Sequence, residues 1–233
     1  MNASRHKRPF VLINMAMSAD GKIATGNRAV HSFGSPQDQH HLYELRATAD
    51  AILCGARTLE MEGATLGSGG ARFRRKRVRC GLCDEALRVV ASGSASISPD
   101  AAIFQQRFSP VVLLTSEQAP KRRLDSLRAV VDAWHVCGGR EIDFAEGLRW
   151  LSAEWGVRRL LGEGGGELND GLFRAGVVDE IHLTLTPLVF GGRGSPSIAD
   201  GLGFSRLPDA ARFRLQSIRQ HGDELHLVYR CAR

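Results

Sequence analysis

Several things are missing from this sequence. No apolar run is long enough to cross a bilayer, the cysteines form no disulfide framework, and no Gly-x-Gly-x-x-Gly turn follows an apolar strand. The first absence excludes a membrane-spanning helix, and the polar opening Met1 to Arg8, with only a short apolar stretch behind it, does not read as a secretory leader. The cysteines are five, an odd number, scattered at Cys54, Cys80, Cys83, Cys137 and Cys231, which suits a reducing compartment and a cytoplasmic location. Cys80-Gly81-Leu82-Cys83 is half of a zinc site with no partner pair at the usual spacing, so no metal is expected. The missing fingerprint means that a dinucleotide, if one binds, is held otherwise than in a Rossmann domain. Internal repeats and linkers are also absent, which leaves a flexible N-terminus over 1–8 and one domain over 9–233.

Excess charge is lacking outside one place. The formal net charge is +6, and Arg72 to Arg79 (Arg-Phe-Arg-Arg-Lys-Arg-Val-Arg) alone supplies six positive charges, so the remainder is near neutral. Three readings of that run stay open: a solvated loop, a clamp for a phosphorylated small molecule, and a nucleic-acid contact. The last ranks third, because Phe73 alone makes a poor stacking platform for bases.

What is present is an alternation of apolar runs and amphipathic stretches from Phe10 onward. Strands are expected at Phe10–Ala16, Ala51–Cys54, Leu87–Ala91, Pro110–Thr115, Ala129–Val136, Arg159–Leu161, Glu180–Thr186, Phe213–Arg219 and Glu224–Arg230. Helices fall between them at Pro36–Ala47, Thr58–Met61, Lys121–Leu127, Phe144–Trp155 and Leu168–Ala175, with Gly156 as a C-cap. The pattern predicts a three-layer α/β fold with a mostly parallel, mixed sheet of about nine strands flanked by helices. The turn Gln220-His221-Gly222-Asp223 makes the last two strands an antiparallel hairpin. Gly63–Asp84 and Gly191–Asp209 read as long loops near a site.

The chemistry is concentrated at strand ends. Gly164, Gly165 and Gly166 follow a short apolar strand and precede a helix, so their amides can approach an anion and the helix adds its positive end, as a cofactor pyrophosphate requires. A tight turn that binds nothing would look the same. Glu163 beside such a seat repels phosphate and therefore reads as a substrate contact. Cys54-Gly55-Ala56-Arg57-Thr58 offers a second glycine turn with Thr58 as N-cap, phosphate ligand or both. Asn14 lies in an otherwise apolar strand, and its amide needs either backbone partners or the edge of a heterocycle. Ser18, Asp20 and Gly21 fit a site or a plain turn equally well. His40 and His41, adjacent on one helix, cannot share a face and read as surface residues.

These residues resemble the pyrimidine reductases of riboflavin biosynthesis, which have a dihydrofolate-reductase-like fold and occur as the second half of a bacterial deaminase/reductase or as stand-alone archaeal and fungal enzymes. The resemblance runs from Pro9 to about Tyr229. It rests on Met17-Ser18-Ala19-Asp20-Gly21-Lys22-Ile23-Ala24, on Leu45-Arg46-Ala47 with Asp50 to Thr58, on Glu163 to Asn169, and on Val177-Val178-Asp179-Glu180-Ile181 with Pro187 and Gly191-Gly192. It implies hydride transfer from NADPH, NADH not being excluded, to C1′ of a ribosylamino-pyrimidine 5′-phosphate, giving the ribitylamino form. By position it implies cofactor contacts at Gly55, Thr58, Gly138, Gly164, Gly165 and Gly166. Substrate contacts fall at Asn14, Ser18, Arg46 and Glu163, catalytic roles at Asp20 and Glu163, and a homodimer is implied as well. An alternative keeps the hydride chemistry on another pteridine, pyrimidine or carbonyl compound.

Two departures from the family bear on this. In place of Asp-Asn-Pro and Leu-Thr-Val-Arg the chain has Glu62-Gly63-Ala64-Thr65-Leu66-Gly67-Ser68-Gly69, so the arginine for the substrate phosphate is missing unless Arg72, Arg74 or Arg75 replaces it. At the adenosine end stands Ala91-Ser92-Gly93-Ser94-Ala95-Ser96, with no basic partner in the run for a cofactor 2′-phosphate.

Overall fold

A computed structural model of the chain describes residues 8–27 and 33–232. The strands are β1 (Phe10–Ser18), β2 (Ala51–Gly55), β3 (Leu87–Ala91), β4 (Val111–Thr115), β5 (Ala133–Val136), β6 (Arg159–Gly162), β7 (Glu180–Thr186), β8 (Phe213–His221) and β9 (Glu224–Cys231). The helices are α1 (Pro36–Arg46), α2 (Ala56–Glu62), α3 (Ala71–Arg79), α4 (Ala102–Gln105), α5 (Lys121–Arg128), α6 (Phe144–Trp155) and α7 (Gly166–Arg174). They build one nine-stranded sheet in the order β5-β4-β3-β2-β6-β1-β7-β9-β8. The pairs from β5 to β7 are parallel, while β9 runs against both β7 and β8. The mixed sheet and its terminal hairpin are those expected from the alternation of apolar runs.

The two faces of the sheet are packed differently. On one face Val11, Ile13, Leu53, Val89, Leu114 and Ile181 meet α6 and α7 through Leu148, Leu151, Leu168 and Leu172 in one apolar core. Asp143 caps α6 by accepting the Glu146 amide at 3.0 Å, and Gly156 ends it in the left-handed region at φ 64°, which an L side chain rarely adopts. On the other face Ile52, Val90 and Leu113 meet α4 and α5, and a small cluster of Leu12, Leu45 and Leu161 sits under α1. Ser35 caps α1 through a 3.3 Å bond to the Asp38 amide, with Pro36 in the first turn.

Three expectations change. The basic run is not a loop: it forms α3. Arginine and lysine are good helix formers, Phe73 packs on Tyr43 with ring centroids 5.3 Å apart, and Arg77, only 1% exposed, donates to the carbonyls of Arg46, Ala49 and Cys83. The strand read from Ala129 begins only at Ala133, because α5 persists to Arg128 and the amides of Val130 and Val131 still bond to Leu127. His41 is not a surface residue: its ring nitrogen lies 3.0 Å from that of His182 beneath α1. As for the expected flexible N-terminus, residues 1–7 lie outside the described residues, and Arg8 forms a two-pronged pair with Asp179 at 2.6 and 2.9 Å. No described helix is long and apolar enough to cross a membrane.

Candidate active site

A cleft of about 710 Å3 opens at the carboxyl ends of β2 to β6, where a parallel sheet places its ligands. Its wall takes Gly55 and Thr58 after β2, Ser92 to Ser94 after β3, Gln118 after β4, Arg140 to Asp143 after β5, and Glu163, Gly165 and Gly166 after β6. The two glycine turns are joined directly. Gly55 donates to the Gly164 carbonyl at 2.9 Å, and the Gly165 amide donates to the Thr58 hydroxyl at 3.0 Å. Thr58 thus braces the triple-glycine bend.

The bend tolerates nothing larger than glycine. A Cβ on Gly164, at φ 83°, would stand 2.6 Å from the Met15 sulfur, and one on Gly166 would stand 2.7 Å from the Ser197 carbonyl. With the Gly165 amide committed to Thr58, the groups left to face an anion are the first-turn amides of α7. Glu167 in that turn is paired with Arg57 at 2.6 Å, which moderates its repulsion of a phosphate. The peptide between Gly164 and Gly165 is cis.

Glu163 and Arg46, both expected on the substrate side, meet each other. Arg46 Nε and Nη2 grip the two carboxylate oxygens at 2.7 and 2.5 Å, and Nη1 reaches the Gly67 carbonyl. The pair is largely buried, so the Glu163 side chain is fixed in orientation at the cleft. Glu62, at the end of α2, lines the same cleft. Its residue is exposed overall, yet its carboxyl is desolvated, which lifts its pKa above the usual carboxylate value, and the Glu163 charge lifts it further. The cleft thus brings two carboxyls together, of which that of Glu62 is pushed toward its acid form. Only the sequence position of Glu62, where the family has aspartate, hinted at it.

The remaining predicted residues are not part of the cleft wall. Asn14 is buried, and its side-chain carbonyl has no partner, so its cost is uncompensated within the described chain. Ser18 and Asp20 are engaged with the backbone instead. The Ser18 hydroxyl donates to Asp20 at 2.6 Å, and Asp20 accepts the amides of Phe190 and Gly191 at 3.1 and 2.8 Å. The Ser18 bond holds the Asp20 carboxyl below its ordinary pKa, so it is ionised near neutrality and anchors a loop. Gly138 does not line the cleft; it lies at φ 81°, where a Cβ would strike the Glu141 carbonyl, and so shapes the loop that presents Arg140. Arg72, Arg74 and Arg75 lie around a separate hollow on the outer side of α3, away from the cleft wall. Cys80 and Cys83 are both exposed, and among the described residues no group of three or more potential ligands can hold a metal ion.

Residues 9–227 match the family described as the RibD C-terminal domain. Among proteins of similar sequence is the 2,5-diamino-6-ribosylamino-4(3H)-pyrimidinone 5′-phosphate reductase of Methanothermobacter thermautotrophicus, 32% identical over 95% of this chain and 98% of that one. A pyrimidine reductase-like protein of Corynebacterium diphtheriae shares the fold with a TM-score of 0.78 at 20% identity, over 97% of this chain and 92% of the other. Dihydrofolate reductase from Enterococcus faecalis, 13% identical over 95% and 96%, shares it at a TM-score of 0.50.

Proposed function

Because the chain belongs to the RibD C-terminal domain family, we propose that it is an NADPH-dependent reductase that converts a ribosylamino-pyrimidine 5′-phosphate to its ribitylamino form in riboflavin biosynthesis. The observation that carries this reading is the joined glycine bend at Gly164 to Gly166 and Gly55, open to an anion and next to the Glu163–Arg46 pair.

The residues suit a dinucleotide: a braced cradle that a Cβ would fill, free amides at the start of α7, and a cleft running on to the turns after β3, β4 and β5. When bound, the dihydronicotinamide supplies a hydride to C1′ of the ring-opened sugar. The chain's own part is positional and acid/base work. Glu163, fixed by Arg46, accepts hydrogen bonds from the amino groups of the pyrimidine, and the unpaired Asn14 carbonyl takes another. Glu62 gives the proton that the sugar nitrogen needs as the C1′–N double bond becomes a single bond. Asp20 holds the neighbouring loop. The name of the Methanothermobacter relative favours the diamino substrate, before deamination.

One observation favours a different substrate on the same chemistry: Arg72, Arg74 and Arg75 stand away from the cleft, so no arginine of that run is placed to hold a 5′-phosphate there. Loss of NADPH absorbance is expected with the phosphorylated pyrimidine and much less with its dephosphorylated form; equal rates would point to the alternative. The protein is proposed to act in the cytoplasm as a homodimer. Exposed Leu215 and Ile218 on β8, the edge strand of the sheet, with exposed Leu188, Val189 and Leu207 in the segments flanking β7 and β8, offer apolar surface that a second copy would cover.

A further inference from the structure

Three arginines stand on the wall of the cleft, and two of them are already neutralised. Arg57 pairs with Glu167 at 2.6 Å, and Arg174 pairs with Glu141 at 2.7 Å and Asp170 at 2.9 Å. Arg140 is the third. It is exposed, and among the described residues it makes no ion pair or hydrogen bond. A cation left without a counter-charge on the wall of a ligand cleft is a standing attraction for an anion.

Its place in the fold says which anion. If the pyrophosphate rests on the bend after β6, the cleft leads away across β2 and β3 toward β4 and β5. Neighbouring strands are about 4.8 Å apart, so the turn after β3 lies roughly 10 Å from the glycine bend, about the span of a nucleoside. That turn, Ser92-Gly93-Ser94, is held open by two bonds: the Ser92 hydroxyl accepts the Ser96 amide at 3.0 Å, and the Ser116 hydroxyl donates to the Gly93 carbonyl at 2.9 Å. Ser94 is exposed, and its hydroxyl has no partner among the described residues. From the far side, the Gly138 turn presents Arg140. That turn is tied to the end of β4 by the Glu117 amide donating to the Gly138 carbonyl at 3.0 Å, and to α6 by the Asp143 amide donating to the Cys137 carbonyl at 3.1 Å.

Resting on the reductase reading above, we infer that Arg140, with the Ser94 hydroxyl, binds the 2′-phosphate of the adenosine ribose and so selects NADPH over NADH. The basic partner missing from the Ala91–Ser96 run is supplied from the loop after β5. A guanidinium on a phosphate makes charge-assisted bonds that NADH, which carries a hydroxyl there, does not offer.

The test is fluorescence titration of the wild-type protein and of Arg140→Ala with NADPH and with NADH. The variant is expected to bind NADPH about 10- to 100-fold more weakly and NADH within about twofold of wild type. Arg140→Lys, which keeps the charge and loses the fork, is expected to fall between. An unchanged NADPH affinity in Arg140→Ala, or an equal loss for both dinucleotides, overturns the assignment while leaving the reductase reading intact. A wild-type protein that binds neither dinucleotide overturns both.

Discussion

The two faces of the sheet carry different kinds of burial. Beneath α6 and α7 the strands present aliphatic side chains in one continuous core. Beneath α1 lie Asn14, His182 and Thr184 from the same strands and Glu163 just after β6, answered by Arg46 and His41 from the helix. The first face gains from the removal of apolar surface from water and tolerates no void. The second face is a chain of polar dependencies: His41 leans on His182, His182 on Glu180 at 2.8 Å, and Glu180 on Arg230 at 2.6 Å. In one molecule, then, the apolar face is scaffold, while the polar face holds the groups proposed to meet the substrate and is the face expected to respond to pH and to single charge changes.

Four experiments bear on that contrast. The largest effect is expected from Glu163→Gln, which leaves the Arg46 guanidinium buried without its counter-charge. Turnover should be nearly abolished, and urea denaturation should register a loss of about 3–5 kcal/mol. A variant that keeps wild-type stability would show the pair to be more solvated than its geometry implies. Leu148→Ala, on the apolar face and fully buried, should cost about 2–4 kcal/mol by the same measurement and leave the KM for NADPH unchanged. A changed KM would mean that the scaffold and the site are not separable.

The third concerns pH. Burial, together with the charge on His182, holds His41 down to about 4, below its ordinary 6.5. The folded state therefore resists a proton that the unfolded chain accepts, so the stability associated with neutral His41 is present above pH 6.5 and is lost as pH falls toward 4. With partial solvent screening, the loss is about 2 kcal/mol across that interval. In His41→Leu, urea midpoints measured across the same interval should fall less steeply; a slope equal to wild type would place the titration elsewhere. The smallest effect is expected for Arg72→Ala, Arg74→Ala and Arg75→Ala together. These exposed residues of α3 should change kcat/KM by less than about threefold and stability by about 0.5 kcal/mol or less each. A large rise in KM for the phosphorylated substrate alone would restore them as its clamp.

How much of this could be read in the sequence differs in the same way. The apolar face was legible, since Phe144–Trp155 and Glu180–Thr186 have the expected bounds: a helix or strand set by hydrophobic period needs only its own residues. The glycine turns were legible because glycines clustered at a strand end serve to bring backbone close to a neighbour or a ligand, which Gly55 and Gly164 do for each other. The polar face was not. Nothing local tells that His41 will meet His182, 141 residues away, or that Arg46 and Glu163, 117 apart, will be partners. α3 was hidden for a related reason: its charge suggested a solvated loop, and only Tyr43, supplied by α1, gives Phe73 a place to pack. Arg140 follows a glycine pair in a loop, and only the folded sheet brings it to the cleft.

The reaction proposed for this chain is delivery of a hydride from a nicotinamide to C1′ of a ribosylamino-pyrimidine phosphate. Its most direct test is to incubate the protein with the diamino substrate and NADPH deuterated at C4 of the nicotinamide, on either face, and to locate the label in the product by NMR. Deuterium on C1′ of a ribitylamino chain, delivered from one of the two faces, is the result predicted. Failure to form that product, or a reduced product with no label at C1′ from either face, would contradict it.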